Sequence, residues 1–418
     1  MGAPQRQSDS PGCVRDTARR RRWTPPDAGV STATPAPEPA LSRVVADLLR
    51  WLALIAVIAI HANDAWRAVT THPIGVRAWA IVAVDQLGRF CVPLFVLLSG
   101  HALGKRYAAD WSTGEFLARR ATRIGGPYLT WSLLNLALAV GASLWLLGGG
   151  WTALDEVTAA ALRSTTDAPA DAPIWPTALR WLLTGAADYH LYFLPIIAQC
   201  YLLFPLMRRW RCTGWAVGLV VTVQIGALAW QQAARLTPAV PAPGLWSVFP
   251  LYWLGYFQVG IWLATHDQRA TLVVRRWPGW VVALLAISGP GAVLGDLAWE
   301  CARGVPAEFA GAFDRPAVAW YLATLVVCAL RWGDRVEAWH PRVTTLISAI
   351  AAGSFAAFLS HTWVLRGLAW ILGSPAVGAD KPLTRWVWIP LALVASLTLG
   401  WLLHRAARRW RPLGWMVG

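Results

Sequence analysis

Ten stretches of predominantly apolar sequence constrain this chain more than any other feature. Each is long enough to cross a hydrocarbon layer of roughly 30 Å as a helix of about 20 residues. They lie at about 44–63, 78–103, 126–148, 190–207, 213–233, 246–265, 277–296, 315–331, 343–371 and 385–404. Inside a bilayer every backbone N–H and C=O must be satisfied without water, so stretches of this length fold as helices. The expected fold class is all-α: a polytopic transmembrane helical bundle of about ten transmembrane helices. The second and ninth stretches are the least uniform, because each carries polar residues. Composition agrees: 56% of the 418 residues are hydrophobic and 14% charged, whereas a soluble domain carries roughly a quarter charged residues. Too few charges remain to cover a water-facing surface, and the lipid bilayer is the solvent the chain is built for.

The formal net charge of +15, carried by 35 Arg and 2 Lys, does not indicate nucleic acid. A nucleic-acid binder gathers its basic residues on a face of a soluble domain, and here they lie in short runs between apolar stretches. That pattern sets orientation instead. With the N-terminus inside, the inner tail and loops hold 25 Lys or Arg against 10 outside, and Arg50 and Arg89 fall within spans. Both termini are therefore expected in the cytoplasm, and the protein in the cell (inner or plasma) membrane as a multi-pass chain. Residues 1–40, with the run Arg19-Arg20-Arg21-Arg22, read as a disordered Pro-rich basic tail without a cleavable signal peptide, and 406–418 as a second cytoplasmic tail. The long outer segment 149–189 has two candidate interfacial helices, at Trp151–Leu162 and Pro176–Thr184. No internal repeat is evident. The six cysteines include no CxxC pair and give Cys301 no outer partner, so a structural disulfide is not expected.

Ionisable groups within spans are costly and are functional candidates by default. The first stretch carries Arg50 and His61, eleven residues apart on nearly one helical face, with a rise of about 16 Å between them. A cation near one membrane surface thus shares a face with an imidazole near the other. The plainer reading is a snorkelling arginine and a histidine that marks a helix end. In the second stretch Asp85 and Arg89 stand at i, i+4, a spacing for a helical ion pair. Pro93 follows, then Ser99-Gly100-His101; small residues there serve helix packing as readily as chemistry. The next inner loop holds Arg119, Arg120 and Arg123, explained by orientation or, more sharply, by an anionic cofactor. His190 and His361 fall at a depth comparable to His61. Each alone reads as a packed histidine; three together are harder to dismiss. Their spacing matches no zinc signature, and no metal is expected.

At these residues the chain resembles the membrane-bound acyltransferase 3 family, whose members acylate cell-surface and exported carbohydrates. Asp47, Arg50 and His61 match its Asp-x-x-Arg start and Arg-x10-His motif. "GRFCVPLFVLLSGHAL" (88–103), "RRATRIGGPYLTW", "YHLYFLPIIAQCYLLFPL" and "GSFAAFLSHTWVL" resemble four further patches, in the family's order. Together they span about 41–370, and the similar membrane domain is taken as 41–405. The branch most resembled is that of surface-polysaccharide O-acetyltransferases. Tyr192 stands where Trp is usual, Ala357-Phe358 where Ile-Tyr is usual, and His101 where Tyr or Phe follows Ser-Gly.

The resemblance implies transfer of an acyl group, acetyl first among the candidates, from cytoplasmic acyl-CoA to a carbohydrate or glycolipid hydroxyl outside. Such an enzyme could act beside other surface-polysaccharide assembly proteins. His61 would be the general base or an acyl relay; residues alone do not separate the two. Arg50, Arg120 and Arg123 would hold the CoA side, Ser99 would line the thioester's path, and His190 and His361 would hold the acceptor. The rival reading is a transporter or exporter of a polysaccharide or related solute, with the intramembrane polar residues as its pathway.

Overall fold

The computed structural model describes residues 41–63, 76–108, 111–146, 154–166, 168–169, 171–211, 213–237, 239–242, 247–306, 310–372 and 382–417. The tail expected at 1–40 lies outside them. Among the described residues the fold is all helix, with no strand. In chain order the helices are α1 (Arg43–Asn63), α2 (Val76–Gly88), α3 (Cys91–Arg106), α4 (Thr113–Arg120), α5 (Gly126–Leu146), α6 (Leu154–Thr165), α7 (Ile174–Thr184) and α8 (Phe193–Met207). They continue with α9 (Gly214–Leu236), α10 (Leu254–Arg275), α11 (Gly279–Ala302), α12 (Pro316–Glu337), α13 (Pro341–Ala352), α14 (Ser354–Leu372), α15 (Pro382–Ala407) and α16 (Arg411–Val417). Seven helical segments among them are long and apolar enough to cross a bilayer. Large apolar side chains such as Leu133, Leu284, Val394 and Trp370 face outward, which water would penalise and lipid does not.

Both uneven stretches break, each for a local reason. The second divides at Arg89-Phe90 into α2 and α3. Proline clashes with the carbonyl four residues before it, and four residues before Pro93 is Arg89. The ninth divides at Gly353 into α13 and α14, where the glycine packs against the backbone of Gly400 on α15. The sixth helix of the ten is shifted along the sequence: α10 runs on to Arg275, beyond the apolar stretch that ends near 265. In the segment 149–189, α6 and α7 form at nearly the places expected of interfacial helices. Residues 411–417 form α16, which lies on α5, where the Trp131 indole N–H donates to the Met416 carbonyl at 2.8 Å.

The most extensive helix–helix contact among the described residues is between α3 and α10. A Cβ on Gly260 would run into the carbonyl of Leu97, and one on Gly100 into that of Phe257. Glycine alone permits this approach, the same use that small residues find between membrane helices generally. Beside it His101 lies 3.9 Å from the Asp267 carboxylate of α10, which Lys105 also meets at 3.0 Å. His101, one of the three departures from the pattern the sequence resembles, therefore faces the helix contact.

A second anchor is ionic. Arg315, with no exposed surface, pairs with Asp296 at 3.2 Å and bonds the Gln86 side chain. Arg235 reaches Asp314 at 2.9 Å and Glu300 at 3.5 Å. The expected Asp85–Arg89 pair forms at 2.8 Å, and Gln86 donates to the same Asp85 oxygen at 2.9 Å. Helices α2, α9, α11 and the start of α12 are thereby tied through buried charge.

If backbone approach holds α3 to α10, Gly260→Ala should destabilise the protein by about 1–3 kcal/mol. Gly226→Ala, on α9 with open space around its Cβ, should be neutral or stabilising by about 0.5–1 kcal/mol. Thermal unfolding of both variants in detergent makes the comparison.

Candidate active site

On α1, Arg50 donates to Asp47 one turn before it at 2.7 Å, and the Ser348 hydroxyl of α13 donates to the other Asp47 oxygen at 3.0 Å. The carboxylate thus fixes the guanidinium at the mouth of a cavity of about 760 Å³. Arg43, Arg50, Arg106, Arg119, Arg120 and Arg123 all line this cavity, against a single carboxylate, Asp47. Six guanidiniums around one space favour a polyanion, and the planar fork of arginine suits phosphate oxygens. Ser99 of α3 lines it as well, one residue from the glycine that meets α10.

Local backbone geometry brings the arginines of the third loop round. Between α4 and α5 the chain makes a π-helical turn, Ala121–Gly125, a form that often marks functional sites. Arg120 is held hard: its guanidinium lies 5.5 to 5.6 Å from the rings of Tyr107, Phe116 and Tyr201 and donates to the Tyr107 hydroxyl at 3.1 Å. Arg123 is exposed on the same cavity. The four residues expected on the CoA side, Arg50, Ser99, Arg120 and Arg123, all line this one cavity.

The three histidines also meet. His61, at the end of α1, stacks on His361 of α14 with ring centroids 5.2 Å apart, and His361 stands 4.9 Å from His190. Tyr189 covers His61 at 4.5 Å. His190 and His361 are 1% and 0% exposed, whereas His61 keeps partial exposure. His361 Nδ1 lies 2.6 Å from the Phe358 carbonyl. A carbonyl can only accept, so Nδ1 carries a proton and the lone pair of a neutral ring is on Nε2. That Nε2 and both ring nitrogens of His190 are buried without a hydrogen-bond partner among the described residues. Unsatisfied imidazole nitrogens at this depth are costly, and a site that proton transfer or substrate would complete accounts for them. Among the described residues no group of three or more His, Cys, Asp or Glu is arranged to hold a metal ion.

Around the histidines is a support the sequence reading did not single out. Asp188 lies 3.7 Å from His190 Nδ1 and accepts from Arg366 at 2.9 Å. The Asn135 side-chain oxygen accepts from both Arg366 and Trp363 at 3.0 Å. The signal was present: Asn135 is a lone amide in an apolar helix, and Arg366 is a charge within the ninth stretch. Burial alone would raise the Asp188 pKa, but His190 and Arg366 outweigh it and hold the carboxyl below the usual carboxylate range.

Cavity and histidines are not one space. His61, His190 and His361 are absent from the cavity wall. What joins the two regions is Phe358, which lines the cavity and stands 5.4 Å from His190 and 5.9 Å from His361.

A carboxylate with a depressed folded pKa stabilises the protein above its ordinary pKa of about 4, and that contribution is lost as pH falls through the folded value. Asp188→Asn should therefore lower the melting temperature at neutral pH and flatten its decline in acid. Melting curves recorded from neutral pH to below about pH 4 would show both effects.

The family model described as an acyltransferase domain matches residues 44–405. Comparison with curated proteins and with solved structures gave no match. The matched region takes in α1 to the end of α15 apart from the first residue of α1 and the last two of α15, and with it the histidine cluster and five of the six cavity arginines, all but Arg43. On this match and the helical bundle that carries it, the chain belongs to the acyltransferase 3 family and is a membrane acyltransferase.

Proposed function

We propose that the protein moves an acyl group, acetyl in the first instance, from cytoplasmic acyl-CoA to a hydroxyl of a surface or exported carbohydrate. The observation that carries this reading is the division of the site: six arginines around one cavity and three histidines beyond it. Coenzyme A is a polyanion and fits the first. A sugar hydroxyl needs a base to become a nucleophile, and a neutral imidazole fits the second.

The bundle then has about ten spans and both termini in the cytoplasm of a plasma or inner membrane, as the asymmetry of basic residues argues. That orientation opens the arginine cavity to the cytoplasm. Arg50 and Arg123 bind the phosphates; Arg120, caged by aromatic rings, adds charge from a fixed position. Ser99 lines the thioester's approach. His61 is the base or the acyl relay, because it alone of the three keeps exposure through which an acceptor could reach it. His190 and His361 orient the acceptor and stabilise the charge that His61 gains. In the transfer the thioester C–S bond breaks and an ester C–O bond forms. The hydroxyl proton passes to the histidine and then to the departing CoA sulfur.

The test is transfer of radiolabelled acetyl from CoA to candidate sugars by purified protein in liposomes. His61→Ala should lower kcat by about 10²–10⁴-fold, the usual worth of a general base. Arg123→Ala should raise KM for acetyl-CoA by about tenfold with little change in kcat, the mark of lost uniform binding. Undiminished transfer by His61→Ala would move the role to His361, which stacks on His61 and has its Nε2 lone pair unpartnered among the described residues.

A further inference from the structure

The region between the arginine cavity and the histidines has a definite construction. Phe95 of α3, Phe193 at the start of α8 and Phe358 of α14 come from three separate helices and form one layer of rings. Their centroids are 5.8 Å apart for Phe95–Phe193, 5.3 Å for Phe193–Phe358 and 6.5 Å for Phe95–Phe358. All three line the cavity, and Phe358 also touches His190 and His361. Phe193 and Phe358 are 7% and 4% exposed and Phe95 is partly buried against the same core, so the rings are packed together. Edge-to-face rings at these separations hold one another in place. Phe358 is the cavity-lining ring that reaches His190 and His361, and Phe95 and Phe193 stand against it.

We propose that Phe95, Phe193 and Phe358 are the acyl-length selector of this enzyme, admitting a short acyl group to the histidines and turning longer chains away. The inference rests on the acyl-CoA reading above and adds a substrate class to it: CoA thioesters of two- or three-carbon acids. A packed layer of rings has no groove for additional methylenes, and accommodating them requires a ring to leave its neighbours. Discrimination of about tenfold or more against a chain too long for it is what a tight apolar pocket supplies. The rings take no part in bond making. They act on which thioester reaches the group that accepts the hydroxyl proton.

The full chain in liposomes, supplied with acetyl-, butyryl- and hexanoyl-CoA and one accepted sugar, gives the test through initial rates of label transfer and CoA thiol release. Wild type should favour acetyl over hexanoyl by about tenfold or more. Phe193→Ala and Phe358→Ala should cut that ratio by about tenfold or more, chiefly by gaining rate with the longer donor. Phe193→Leu and Phe358→Leu, which keep apolar bulk, should shift it in the same direction by less, and they serve where the alanine variants fail to fold. Phe249→Ala, a ring outside the layer and partly exposed, should leave the ratio as in wild type. Variants that fold and transfer with the wild-type ratio, or fold and transfer nothing, overturn the selector alone. Folded wild type that uses no CoA thioester overturns the acyl-CoA reading, and the selector with it.

Discussion

In hydrocarbon a charged or polar side chain must find its partner within the protein, and this bundle is organised around the places where it does. Asp47 holds Arg50 and is itself held by Ser348. Asp85 holds Arg89, and Arg315 is closed in by Asp296 and Gln86. Asn135 takes two donors at once, from Trp363 and Arg366, and Arg366 passes on to Asp188. Breaking one member of such a pair leaves a buried charge uncompensated, which costs far more than the pair contributes. Helices that share these contacts are fixed in rotation and depth, and the functional side chains on them are fixed in turn.

Helix α3 shows how much one element can carry. Its Phe95 and Ser99 line the cavity, its Gly100 and Gly104 admit α10, and its His101 and Lys105 meet Asp267. Three faces, each carrying two of these residues four apart, suffice, because successive residues turn by roughly 100°. The adjacent pair Ser99-Gly100 divides the work: the hydroxyl faces the site and the missing side chain faces the contact. A change at Gly100 would move the wall that Ser99 belongs to.

The helices were legible in the sequence because hydrophobic length is a local property. Each of the ten apolar stretches contributes a helix among the described residues, and Pro93 and Gly353 mark where two of them divide. The shift in α10 was not legible, since its polar continuation through His266, Asp267 and Arg269 is stabilised by α3 and by hydrogen bonding along the helix. For the site, Arg50 and His61 share a helix face and could be paired by spacing. The meeting of His61 with His190 and His361 depends on three helices coming together. Asp188, Asn135 and Arg366 lie in separate segments, and their joint role exists only in the folded chain. The phenylalanine layer was hidden for another reason: in a membrane helix a phenylalanine that lines a passage reads like one that faces lipid.

That layer has an electrical meaning too. A protein with a hydrated polar recess toward one side of a membrane and a cluster of imidazoles beyond it has most of a proton wire, needing only a file of water to join the parts. Rings 5.3 to 6.5 Å apart offer such a file only apolar surface, where each water would forfeit hydrogen bonds. The bundle therefore sets an apolar barrier between two polar regions that stand in series.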